Sequence, residues 1–227
     1  NFTVVSWNVR GLGDSDKCNV VRDAFTTVNP TVICIQETKL HDITTSKAHS
    51  FLPPSHVNSY HFIGAAGSRG GILTTWNSNA LRMDSYITRR HTLTVVLSST
   101  SSDHRLTITN VYAPSDHRDS PLFLNGLKEL KPHINGAWLL LGDFNLVRSA
   151  TDKNNCAIDT RLCQMFNDTL DHLEVVELPL LDKLFTWSNQ REHPTLARLD
   201  RVFANHTQCT VFPNTSLTSL VWPTSDH

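Results

Sequence analysis

No run of apolar residues in this sequence approaches the ~20 that a membrane-crossing helix requires, which excludes a helical span within the segment. The five cysteines, Cys18, Cys34, Cys156, Cys163 and Cys209, contain no Cys-x-x-Cys pair. A structural zinc site is therefore not expected, and an odd, scattered set reads as reduced and mostly buried thiols. Neither sign of charge dominates: 20 Lys and Arg face 21 Asp and Glu, for a formal net charge of -1. That excludes a globally basic nucleic-acid binder, so contact with a polyanion must come from a local patch or from cations held against phosphate. Repeats, low-complexity tracts and linkers are also missing, and the 227 residues read as one domain. The opening Asn1-Phe2-Thr3-Val4-Val5 lacks the basic flank and long apolar stretch of a secretory signal. There is no initiator Met, Phe2 to Trp7 already reads as a strand, and the final residue belongs to a motif. The expectation is a piece of a longer polypeptide.

What is present is a folded α/β pattern. With 39 % apolar and 18 % charged residues, the chain can bury a substantial core. Short apolar runs at Phe2 to Trp7, Val32 to Ile35, Gly71 to Trp76, Leu106 to Tyr112 and Ala137 to Leu141 predict buried strands. Met83 to Ile87 and the alternating Thr92 to Ser98 predict an antiparallel pair. Helical spacing appears over Lys17 to Val28, after Ser120-Pro121, and over Thr160 to Leu173 with Thr160 as the expected cap. Strands mixed with helices suggest layers.

Five constellations stand at expected strand ends, where α/β folds place their sites. They are Ser6-Trp7-Asn8-Val9-Arg10-Gly11, Ile35-Gln36-Glu37-Thr38, Asn110-Val111-Tyr112-Ala113-Pro114, Leu140-Leu141-Gly142-Asp143-Phe144-Asn145, and Arg198-Leu199-Asp200-Arg201-Val202 with Ser225-Asp226-His227. Each alone has an ordinary explanation: Asn8 a turn former, Glu37 a solvated carboxylate, Gly142 to Asn145 a turn, Asp200 an ion-pair partner of Arg198 or Arg201. Together they supply what phosphodiester hydrolysis needs. Glu37, Asp143 and Asp226 offer carboxylates and Asn8 and Asn145 offer amides, the oxygen donors a hard divalent cation prefers. His227 paired with Asp200 offers a base or donor of fixed tautomer, and Tyr112 a phenol that can donate to a phosphoryl oxygen.

These residues, in this order, resemble the endonuclease/exonuclease/phosphatase superfamily over nearly the whole chain. The resemblance implies a four-layer α/β/β/α sandwich of the DNase I-like type, two packed sheets flanked by helices, with Mg2+ or Mn2+ as cofactor. Within the superfamily the chain is most similar to the apurinic-type endonuclease domain of plant LINE-type (non-long-terminal-repeat) retrotransposons. Trp7-Asn8-Val9-Arg10-Gly11-Leu12-Gly13, Gln36-Glu37-Thr38-Lys39-Leu40, Gly70-Gly71-Ile72, Asp152-Lys153, Phe185-Thr186-Trp187-Ser188-Asn189 and Ala197-Arg198-Leu199-Asp200-Arg201 carry that narrower likeness. It implies a nuclear enzyme that nicks DNA to prime reverse transcription, with a reverse transcriptase domain in the same polypeptide. It also assigns roles. Glu37 is the main metal ligand, with Asn8 and Asp226 near the same ion. Asp143 aligns or deprotonates water, Asn145 orients it, Tyr112 contacts phosphate, His227 binds phosphate or acts as base, and Asp200 holds its ring.

Two departures matter. Abasic-site repair members carry an aromatic immediately before Arg-Leu-Asp, where this chain has Ala197; nicking of ordinary DNA is therefore favoured, with Trp187 left as a pocket wall. Family members also continue past Ser-Asp-His into a further core strand, so residues 1–227 are expected to lack the last strand. Arg69, Arg82, Arg89, Arg90 and Lys39 are candidate phosphate contacts, and Phe185-Thr186-Trp187 a candidate hairpin beside the DNA. The alternatives are another phosphodiesterase or phosphatase of the same fold, and a nucleic-acid-binding module with decayed catalysis.

Overall fold

The structure is a computed structural model that describes residues 2–67 and 69–220. Ser225, Asp226 and His227 lie outside the described residues. One sheet comprises β1 (Val4–Asn8), β2 (Val32–Gln36), β3 (Tyr60–Ile63) and β4 (Ile72–Trp76), in the order β1-β2-β4-β3. The second comprises β5 (Leu81–Arg89), β6 (Thr92–Ser99), β7 (Arg105–Tyr112), β8 (Trp138–Asp143), β9 (Val175–Glu177) and a later strand; between them a two-stranded ribbon pairs β10 (Trp187–Ser188) with β11 (Leu196–Ala197). The later strand is β12 (Asp200–Asn205), and the order is β5-β6-β7-β8-β12-β9. Helices α1 (Ser15–Val28) and α2 (Thr45–Phe51) cover the first sheet, and α3 (Ser120–Lys128) and α4 (Thr160–Leu173) cover the second. A short α5 (His206–Val211) follows β12. The four-layer expectation is met.

Burial explains the layers. Val32, Cys34, Ile72, Leu93, Val95, Ile108, Leu139 and Leu141 pack between the sheets. Trp7 and Ile33 pack toward α1, whose Phe25 makes an edge contact with Trp7 at 5.8 Å. Phe144, Phe166 and Phe203 form a ring cluster under α4. Strands β2, β4 and β8 are buried along their full length, which is why they read as continuous apolar runs.

The two sheets are also joined by polar groups. Asn110 of β7 donates Nδ2 to Leu73 O at 2.9 Å and to Ile35 O at 3.3 Å, both on the facing sheet. Its Oδ1 accepts from Gln36 Nε2 at 2.6 Å. Both residues are fully buried, where an unpaired amide is costly and a paired one fixes register.

Two local expectations are corrected. The cap of α4 is Asp159, whose side chain accepts from Leu162 N, and Thr160 is already the first helical residue. Asp200 does not end a strand: it opens β12, which runs antiparallel to β8 and therefore begins at the edge where β8 ends. The expected hairpin at Phe185 to Trp187 is present as β10 and β11.

Candidate active site

The parallel pairs β1/β2 and β7/β8 end at one edge of the sandwich. Asn8 closes β1, Gln36 closes β2, and Tyr112 and Asp143 are register partners closing β7 and β8. Gly142 makes that last juxtaposition possible. Its φ is +132°, and a Cβ there would stand 2.1 Å from Val111 O, so only glycine lets β8 run this close to β7.

Asn8 and Asp143 are both buried, and Asn8 Nδ2 donates to Asp143 Oδ2 at 2.9 Å. Asp143 Oδ1 accepts from Asn145 N at 2.9 Å, and Asn145 Nδ2 donates to Ala113 O at 3.0 Å and lies 3.3 Å from Asp143 Oδ2. Asn145 adopts a left-handed backbone, φ +48°, a conformation its short amide tolerates. The carboxylate of Asp143 is thus held by amides from both sheets.

Glu37 follows β2 with φ +55°, and Lys39 has φ +56°. Each left-handed residue costs about 1–2 kcal/mol, which backbone bonds offset: Gly11 N donates to Glu37 O at 2.7 Å, Leu12 N to Thr38 O at 2.9 Å, and Lys39 N to Gly70 O at 2.9 Å. Gly71 fits because a Cβ there would meet Thr38 Oγ1 at 2.1 Å. The result turns Glu37 into the cleft, with Lys39 Nζ 3.0 Å from Glu37 Oε1. Tyr112 hydrogen-bonds the Glu37 side chain. Burial, then the charges of Glu37 and Asp143, push the Tyr112 phenol well above its ordinary value near 10, so it stays a proton donor.

These groups line a cleft of about 510 Å³. Asn8, Glu37, Tyr112, Asp143, Asn145 and Trp187 all face it. Asp200, the register partner of Asp143 on β12, faces a neighbouring hollow of about 1100 Å³ that Asn8 also lines. Asp226 and His227, assigned to metal and phosphate, lie outside the described residues.

The basic candidates divide. Arg69 is exposed on the β3–β4 connection, bridged to Ala66. Arg89 and Arg90 sit on the β5–β6 turn, beside Tyr112, whose N donates to His91 O at 3.0 Å. They face acids of the α3 region: Arg89 Nη1 is 2.6 Å from Glu129 Oε2 and Arg90 Nη2 is 3.9 Å from Asp119 Oδ2. Arg82 lies at the opposite end of β5, beside Asp84, and does not join the site.

Several cleft residues escaped assignment in the sequence. Arg10, His117 and Lys153 bring positive or protonatable groups, and Leu162 and Cys163 of α4 bring an apolar floor. Arg10 and Lys153 were visible inside quoted motifs, but nothing in their spacing showed that they face Asp143. His117 Nε2 sits 3.2 Å from Asn145 O, a contact across a loop that carries no pattern.

The model of the endonuclease/exonuclease/phosphatase family matches residues 5–227. The chain belongs to that family. Solved structures agree with the family's fold. An AP endonuclease from Leishmania major superposes with a TM-score of 0.70 at 18 % identity, covering 92 % of this chain and 80 % of its own. The endonuclease domain of TRAS1, a telomere-specific non-LTR retrotransposon, gives 0.67 at 15 % identity, covering 91 % and 86 %. A beta toxin from Staphylococcus aureus gives 0.66 at 12 % identity, covering 91 % and 86 %. At these identities the likeness is one of architecture.

Among the described residues no three His, Cys, Asp or Glu side chains gather as a cation cage. The donor set still fits a hard divalent ion of the Mg2+ kind, which keeps several waters and takes only one or two carboxylates from the protein. Glu37 supplies a carboxylate that is only 14 % exposed, on a rigid turn, with the amide of Asn8 in the same cleft.

Proposed function

We propose that this family member is a divalent-metal-dependent endonuclease that hydrolyses DNA phosphodiester bonds, of the kind carried by plant LINE-type retrotransposons. The observation that carries the reading is the convergence of Glu37, Asn8, Tyr112, Asp143 and Asn145 on one cleft. The architectural likeness to the TRAS1 endonuclease domain supports it. In that setting the enzyme works in the nucleus, joined to a reverse transcriptase, and nicks target DNA to expose a 3′-hydroxyl primer.

The residues divide the chemistry. Glu37 and Asn8, with Asp226, would hold Mg2+ or Mn2+, which supplies charge neutralisation at the phosphate. Asp143, oriented by Asn8 and Asn145, receives the proton of the attacking water. Tyr112 donates to a phosphoryl oxygen that gains charge in the transition state. Arg10 and Lys153, both lining the cleft, attract the backbone phosphates. Water adds to phosphorus, the bond to the 3′-oxygen breaks, and the leaving oxygen takes up a proton from solvent; His227, its ring held by Asp200, would bind the scissile phosphate or act as base.

The test is nicking of supercoiled plasmid in Mg2+, beside parallel assays on abasic DNA, poly(A) RNA and phospholipid head groups. Plasmid nicking that stops on chelation is expected. Folded protein that leaves plasmid intact and turns over one of the other substrates would replace this reading with another phosphodiesterase activity.

A further inference from the structure

One wall of the cleft is fastened from behind by charge. Arg201 of β12 is almost wholly buried, its side chain 1 % exposed. Its Nη1 donates to Glu177 Oε1 at 2.7 Å, and its Nη2 donates to Asp152 Oδ2 and to Arg198 O. Glu177 also holds Arg198 at 3.0 Å and Arg148 at 2.8 Å. Arg148 Nε continues to Asn167 on α4 at 2.8 Å. Asp152 Oδ2 accepts from Arg148 N at 2.7 Å, and Asp152 O accepts from Arg198 N at 2.9 Å.

None of these five charged residues lines the cleft, yet Arg148, Asp152 and Arg198 are each next in sequence to a residue that does. Val147 and Lys153 face the cleft while Arg148 and Asp152 point back into the cluster. Ala197 and Leu199 face the cleft while Arg198 points back to Glu177; Asp200 and Arg201 both border the neighbouring hollow, with the Arg201 guanidinium turned to Glu177 and Asp152. The Trp187 ribbon hangs from the same segment: Trp187 pairs with Ala197, Lys153 bridges to Ala197, and Thr186 Oγ1 accepts from Leu199 N and Asp200 N at 3.0 and 2.9 Å. The cluster therefore ties the loop after β8, β9, α4 and the approach to β12 at one point.

Such a cluster is an expensive way to gain stability. Desolvation of buried charges consumes much of their attraction, and an apolar replacement of equal volume often does as well. What it provides is fixed directions, because a planar guanidinium accepts partners only in its fork geometry. We infer that Arg201, acting through Glu177 and Asp152, is a positioning residue: it sets the spacing between the Trp187–Leu199 wall and the Asp143–Asn145 side, and so places the nucleotide beside the scissile phosphate. The inference rests on the nuclease reading for its consequence in catalysis, and on the fold alone for its consequence in structure.

Two readouts test it in Arg201→Lys and Glu177→Gln, which keep volume and lose the fork or the charge. The first uses protein labelled with 5-fluorotryptophan, with the Trp187 resonance assigned through Trp187→Phe. The Trp187 fluorine signal should shift or broaden in both variants while that of Trp7, on the other sheet, stays in place. The second is plasmid or duplex nicking. KM should rise about tenfold with kcat within about threefold, and cut positions should scatter. The fluorine experiment needs no activity, so an inactive wild type would sink the nuclease reading and leave the clamp to be judged by the spectrum. An unmoved Trp187 signal in a folded variant overturns the inference, as does an unchanged KM and cut pattern in an active one. If neither variant folds, the cluster is a stability element and the inference is equally overturned.

Discussion

Asn8 and Asp143 lie 135 residues apart in sequence and on different sheets, yet the amide of one donates to the carboxylate of the other at 2.9 Å. The bond orients the group to which water activation is assigned. Removing the amide with Asn8→Ala leaves a buried carboxylate short of a donor. The expected cost is about 1–3 kcal/mol of stability, read as a lower urea midpoint. Asp143→Asn should keep the fold and lose about 10²–10⁴ of the nicking rate. Retention of near-wild-type nicking by Asp143→Asn would remove Asp143 from the chemistry.

Glu37 offers the cleaner separation of function from folding. It pairs with Lys39, whose side chain is 38 % exposed, and such pairs contribute little to stability, about 0–1 kcal/mol. Glu37→Gln is expected to melt within a few degrees of wild type, roughly the effect of 1 kcal/mol. Its Mn2+ affinity, followed by the electron paramagnetic resonance of free Mn2+, should fall at least about tenfold. Unchanged Mn2+ binding would move the cation site elsewhere.

Tyr112 makes a pH prediction. Burial and the neighbouring carboxylates raise its pKa above the ordinary value near 10, so the neutral phenol persists at a pH where a free tyrosine ionises. The rate should show no alkaline fall near pH 10 attributable to this group. Tyr112→Phe should slow nicking about 10²-fold through loss of one donor with an otherwise parallel profile. A wild-type limb near pH 10 that vanishes in Tyr112→Phe would contradict the assignment.

His56 makes a second, opposite in sign and unrelated to catalysis. It is fully buried, and burial pushes its pKa from 6.5 down to about 4, against the pull of hydrogen bonds to the backbone of Thr31 and Pro30. The unfolded chain therefore binds this proton before the folded one does. Above about pH 6.5 both states are neutral and nothing changes. Stability falls as pH drops from there toward 4, and below 4 the loss is complete. Between pH 7 and pH 5 the expected loss is on the order of 2 kcal/mol. His56→Gln should flatten that part of the urea-midpoint profile relative to wild type; an identical slope would show that other groups govern it.

The parts of this fold that were legible in sequence are those buried on both faces. β2, β4 and β8 announce themselves because most of their positions are apolar and all are buried. β3 is half-exposed at each position and α2 is only seven residues long, so neither leaves a periodic signal. Asp159 rather than Thr160 caps α4 because both are good caps and only the backbone decides. The candidate site was legible as residue types at strand ends, since Asn8, Glu37, Tyr112 and Asp143 do meet. Its support was not. Asn110 looked like one polar residue in a strand, and only the packing of two sheets shows that it bonds to Leu73 and Gln36. Arg198 and Arg201 looked like partners for Asp200, whereas the fold delivers Glu177 and Asp152 to them from elsewhere.

The amide junction of Gln36 and Asn110 has a bearing on how the activity is born. Glu37 and Asn8 arrive with one half of the barrel-less sandwich, Tyr112 and Asp143 with the other. A nascent chain that has built a single half owns no competent centre, however well ordered that half is. On the proposed reading, a cleavage centre exists only once both sheets have docked, because neither half alone carries the full set of groups.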